Sequence, residues 1–166
     1  AKVPSNLKKT LQQKLLYDRM LATKFRFEGR TGLWIEDGFI VEKKERYLLL
    51  AKYDRNEKRP IVKLIDLSNQ NTIHAYRPDL NHINSLSKIK NTLMDVASNH
   101  RQHETQIVHP LLTDDGGIIF NQYHSPLVKI NRCSLLEWTI DLSFHHSIEV
   151  DAEGNIWAPS IIQPTS

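Results

Sequence analysis

The chain has 166 residues, 40% of them hydrophobic and 25% charged, with 22 Lys+Arg against 19 Asp+Glu for a net charge of +3. That is enough length for one domain with a core of its own plus an arm. The mild basic excess, scattered apart from a cluster between Lys52 and Lys63, argues against a nucleic-acid surface. No apolar run approaches the roughly 20 residues of a membrane-spanning helix, and Cys133, the only cysteine, excludes an internal disulfide.

Residues 5–24 predict an amphipathic helix. Ser5 or Asn6 supplies a cap, and Leu7, Leu11 and Leu15 recur at i, i+4 with Leu16 and Met20 beside them. Such a stripe packs on the domain or on a neighbour, with a membrane-surface helix as the alternative. The pattern then changes to β: residues 31–35, 46–53, 61–67 and 72–77 read as short strands with polar connections, an antiparallel meander. The run Tyr47-Leu48-Leu49-Leu50-Ala51 reads as a buried strand. Residues 79–106 break the rhythm, because Ile83, Leu86, Ile89, Leu93 and Val96 sit at helical spacings and predict a helix of about four turns followed by a polar loop.

The β rhythm returns over residues 107–113, 118–123, 127–131 and 135–141. Asp114-Asp115-Gly116-Gly117 reads as a hairpin turn, since it lacks the ligand series of a calcium loop. Residues 144–151 read as a strand opened by His145 and His146, with Ile148 and Val150 alternating against polar neighbours. Ala152-Glu153-Gly154-Asn155 is a turn, and Ile156 and Trp157 restart a β run. The turn glycines Gly116 and Gly154 recur at close to the roughly 40 residues of a propeller blade. The predicted fold is therefore all-β, a partial β-propeller of two four-stranded antiparallel blades plus the start of a third. A helical arm (1–30) precedes blade 31–78, helical insertion 79–105, blade 106–142 and the opening of a further blade at 144–166. Two and a half blades cannot surround an axis, so the chain reads as part of a longer propeller.

The chemical leads are histidines. His145 and His146 are adjacent, so in a strand they point to opposite faces. At the end of an innermost propeller strand an imidazole can act as nucleophile or general acid/base. His109 stands near the start of the corresponding strand one blade earlier, with Pro110 after it, and is a candidate substrate-binding residue. The plainer reading makes all three backbone-bonded residues of loops and strand ends. Asn121, His124 and Arg132 are weaker candidates, with Asn121 and His124 expected on the solvent side. Trp34, Trp138 and Trp157 occur once per blade-like unit and are expected in the core between blades. No cysteine or carboxylate cluster has a metal-ligand spacing, so neither a metal nor a cofactor is assigned.

At these residues the chain resembles the bacterial arylsulfotransferase family. The resemblance runs through Thr31-Gly32-Leu33, Tyr47-Leu48-Leu49-Leu50, Lys63-Leu64-Ile65-Asp66-Leu67 and Thr72-Ile73-His74-Ala75-Tyr76. It continues through His109-Pro110-Leu111-Leu112-Thr113-Asp114-Asp115-Gly116 and His145-His146-Ser147-Ile148-Glu149-Val150-Asp151 to Gly154-Asn155-Ile156-Trp157. It implies a six-bladed propeller, in the periplasm or at its membrane through an upstream segment. Such an enzyme moves a sulfuryl group from a phenolic sulfate ester to a phenol without a nucleotide donor. The resemblance makes the element carrying His145 and His146 catalytic, with aryl sulfate and phenol as the partners. Ser147 stands where the family's pattern has an acidic residue. A non-catalytic propeller serving as a binding or scaffold module is the alternative.

Overall fold

The computed structural model describes residues 32–34, 46–90, 95–99 and 101–161. The chain divides into two compact units, Ala1–Gly38 and Phe39–Ser166. In the first, Gly32, Leu33 and Trp34 are described and are not in a strand, with Gly32 at φ +97°. The expected strand at 31–35 is therefore not formed there, and the expected helix at 5–24 lies outside the described residues.

The second unit is built from antiparallel strands. β1 (Tyr47–Asp54), β2 (Arg59–Asp66) and β3 (Asn71–Tyr76) form a three-stranded sheet in that order. β2 is central and carries the buried Ile61, Val62 and Ile65. β1 is an edge strand, so Tyr47 and Leu50 are exposed and the run is not the buried strand its apolar sequence suggested. β4 (Val108–Leu112), β5 (Ile118–Asn121), β6 (Ser125–Ile130) and β7 (Leu136–Phe144) form a continuous meander. β8 (Glu149–Val150) and β9 (Ile156–Trp157) make a small separate hairpin. β10 (Ser160–Ile161) then returns to the free edge of β7, giving a five-stranded sheet of order β10-β7-β6-β5-β4. Sheets of three, five and two strands thus stand where two four-stranded blades and the opening of a third were expected.

The helical insertion is also shorter than predicted. α1 (Leu80–Ser85) starts where the Asp79 carboxylate accepts from the His82 amide at 3.0 Å. Past its cap at Leu86, the Asp141 carboxylate on β7 accepts from the Lys88 amide (2.7 Å), which a further turn would have bonded to Asn84, and from the Ser87 hydroxyl (2.6 Å). The apolar spacing of Ile83, Leu86 and Ile89 therefore outlasts the helix. Only α2 (Val96–Asn99) and a 3₁₀ turn (Gln102–Glu104) follow among the described residues.

One apolar cluster joins both larger sheets to α1: Val62 and Tyr76 from the first sheet, Leu80 and Ile83 from the helix, and Ile118, Phe120, Val128 and Ile130 from β5 and β6. Each such side chain contributes about 1.5–3 kcal/mol by leaving water. The other face of the five-stranded sheet carries Ile119, Leu127 and Phe144 under Ile148, with Leu111, Trp138 and Ala158 packed alongside. The tryptophans divide accordingly: Trp138 is half-buried, whereas Trp34 and Trp157 are 66% and 64% exposed and do not build a core.

Candidate active site

Strand register gathers the histidines. Val108 of β4 lies opposite Asn121 of β5, and Ser125 of β6 opposite Phe144 of β7. The start of β4, the end of β5, the start of β6 and the end of β7 therefore share one end of the five-stranded sheet. His109, Asn121, His124, His145 and His146 all come to it.

His124 sits in the tight turn between β5 and β6, where the Ser125 hydroxyl accepts from the Gln122 amide at 2.7 Å. It takes φ +56° and stacks edge-on against Tyr123 at 4.0 Å between ring centres. His145 directly follows β7, its amide donating to the Pro159 carbonyl at 3.2 Å as the chain returns to form β10. Its ring lies 5.8 Å from that of His124. His146 takes φ +64°, which turns the backbone so that the two neighbouring rings meet edge to face at 4.5 Å. The pair is thus not in a strand and does not point to opposite faces: His146 leaves β geometry immediately after Phe144.

Asn121, at the end of β5, is fully buried and not on the solvent side as expected. Its Nδ2 donates to the His146 carbonyl at 3.4 Å, which ties down the strained residue. Two buried polar atoms here have no hydrogen-bond partner among the described residues, Asn121 Oδ1 and His145 Nδ1. Orphaned buried groups are rare and concentrate where a protein binds or reacts. Strain concentrates here as well. Among the described residues six non-glycine positions have positive φ, and three of them are His109, His124 and His146. Such backbone costs of order 1–3 kcal/mol each, although histidine tolerates it better than most residues.

His109 shares the sheet end but stands apart from the rings. It is exposed, at φ +41°, where the pairing of β4 with β5 shifts between Val108 and Leu111. No hydrogen bond or ring contact links it to the cluster. His124, weakly rated from sequence, takes its place. The signal that could have found it is topological: a turn entering β6 must lie at the same sheet end as a residue leaving β7. Arg132 lies in the β6–β7 turn, at the opposite end of the sheet.

Three imidazoles gathered at one sheet end, His145 meeting His146 edge to face and His124 at a tilt, can donate hydrogen bonds to an oxyanion. Among the described residues no group of three histidine, cysteine or acidic side chains is placed to hold a metal ion. Comparisons with protein-family models, curated proteins and solved structures gave no match to this chain.

Proposed function

We propose that the cluster of His124, His145 and His146 is part of the active site of an aryl-sulfate sulfotransferase built on a propeller-type repeat of antiparallel sheets. One observation carries the reading: three imidazoles converge at one sheet end, where the Asn121 amide is buried and incompletely bonded. The sequence resemblance around His145 and His146 supplies the reaction class.

In the proposed reaction a histidine nitrogen attacks sulfur, the bond from sulfur to the aryl oxygen breaks, and the phenolate leaves with the electron pair and takes up a proton. The acceptor phenol then attacks the sulfur of the sulfohistidine, giving up its proton and freeing the imidazole. His146, the more exposed of the pair, binds the sulfate oxygens and exchanges the phenol proton. His145, behind it, orients that ring, and His109 contacts the aryl group at the same sheet end. Aryl sulfates and phenols are the partners, and the periplasm or its membrane the compartment.

Transfer from p-nitrophenyl sulfate to phenol, followed by nitrophenolate release, tests this. The His145→Ala/His146→Ala variant is expected to lose about 10²-fold or more in turnover. Equal turnover in that variant would remove both residues from the mechanism. Absence of transfer in the folded wild-type protein would favour the alternative, a binding or scaffold module.

A further inference from the structure

A second candidate site lies at the far end of the five-stranded sheet from the histidines. There an open cleft of about 470 Å³ separates the two larger sheets, walled by Leu64, His74, Tyr76, Leu112, Asp114 and Arg132 among others. Its size falls in the range of small-molecule sites, which combine apolar walls with a few convergent polar groups.

The walls are held in place from both sides. His74 Nε2 bonds the Arg132 carbonyl at 2.7 Å, and the Arg77 amide donates to the Ser134 hydroxyl at 2.8 Å, so β3 grips the β6–β7 turn. The Tyr76 hydroxyl donates to the Gly116 carbonyl at 2.8 Å, which fixes the β4–β5 turn against the same strand. His74 and Tyr76 stack edge-on at 4.5 Å. Among the described residues these contacts leave the Arg132 guanidinium and the Asp114 carboxylate unused, and the two form no ion pair with each other.

Two residues of unlike charge, unpaired among the described residues, line one cleft and select against simple ions: an anion would meet Asp114 and a cation would meet Arg132. A ligand carrying both signs at one end and an apolar body at the other satisfies every wall. We propose that this cleft binds a free amino acid with a large apolar side chain. Its carboxylate is taken by the planar fork of Arg132 and its ammonium by Asp114. Its side chain lies between Leu64 and Leu112 along the edge of His74. The site is separate from the imidazole cluster and does not depend on the sulfotransferase reading.

Isothermal titration of the 166-residue chain with L-phenylalanine, N-acetyl-L-phenylalanine and L-phenylalanine amide tests it. The zwitterion is expected to bind saturably and each capped form at least about tenfold more weakly, because each lacks one charge-assisted contact. Arg132→Met and Asp114→Asn should each weaken phenylalanine binding by a similar factor. Both side chains are exposed, so the unliganded melting temperature should not change. His145→Ala should bind as wild type. No saturable binding of phenylalanine in the millimolar range would overturn the proposal. So would equal binding of a capped form, or wild-type affinity in both cleft variants.

Discussion

Two fully buried amides follow one another at the end of β5, and their surroundings differ sharply. The Gln122 oxygen accepts from Asn84 Nδ2 (3.1 Å) and from the Thr105 hydroxyl (2.8 Å), and its nitrogen donates to Asn84 Oδ1 (2.8 Å). This reciprocal pair ties α1 to the sheet. Asn121 makes one long bond and leaves its oxygen unpaired. Gln122→Met keeps the volume but strands partners on Asn84 and Thr105, at about 1–3 kcal/mol for each group left unsatisfied. Asn121→Leu removes a group already half unsatisfied and should cost about 1 kcal/mol or less. Urea denaturation of the two variants measures the difference. An equally large loss at Asn121 would mean that its oxygen is satisfied and that the floor of the histidine cluster is purely structural.

At the scale of single elements, the hairpins were the most legible part of the chain, because their turn chemistry is local. Residues 113–117 and 151–155 close in the same way: the amide of the first residue donates to the carbonyl of the fifth, and the amide of the fourth to the carbonyl of the first. The fourth residue is Gly116 or Gly154, at φ +76° and +84°. Residues 131–135 close identically with Ser134 at φ +65° in the glycine position. The recurrence of Gly116 and Gly154 is therefore real as turn geometry, but the same turn also occurs between them, so by itself it marks a hairpin type. What was illegible was non-local. Just past α1 the chain is bonded to Asp141 on β7, far along the sequence. The return of β10 to β7 has no pattern of its own, being two residues long. The histidine site shows the same division: His145 and His146 were found by adjacency, whereas His124 and Asn121 join them only through strand register. The glycines offer a test within the turns. A Cβ on Gly154 meets nothing within 4 Å, so Gly154→Ala should cost about 1–2 kcal/mol from left-handed backbone alone. A Cβ on Gly117 would come within 2.5 Å of the Ile130 carbonyl oxygen, so Gly117→Ala must push β6 away and should lose more. Thermal unfolding of the two variants ranks them, and the reverse order would refute the packing of that turn against β6.

Across the whole molecule, the carboxylates holding the turns predict where acid acts first. Asp66 is held well below the ordinary value near 3.8 by the Arg46 guanidinium, with help from Ser68. Asp115 is held down by Lys129, then Thr113 and the Gly117 amide. Asp54 is lowered chiefly by the Glu57 amide, and Asp151 by the Trp157 indole N–H. All four are depressed in the folded state. Their stabilisation is therefore complete above about pH 5 and is lost as pH falls from about 4 towards the folded values. They hold the β1–β2, β2–β3, β4–β5 and β8–β9 turns. The β6–β7 turn instead relies on the neutral Asn131 side chain, accepting from the amides of Cys133 (2.8 Å) and Leu135 (3.1 Å), and the β5–β6 turn on Ser125. Acid should thus loosen the first sheet, β4 and the small hairpin while β5, β6 and β7 persist. Amide hydrogen exchange at pH 3 against pH 6, corrected for intrinsic rates, should show protection surviving longest in residues 118–144. The melting-temperature gap between wild type and Asp66→Asn should be constant above pH 5 and close as pH drops below 4. A gap that persists at pH 3, or uniform loss of protection across the sheets, would mean that these carboxylates do not hold the turns. Asn121 ends β5, His124 lies in the turn from β5 to β6 and His145 follows β7, so the histidine cluster is carried by the strands whose connecting turns acid is expected to leave in place.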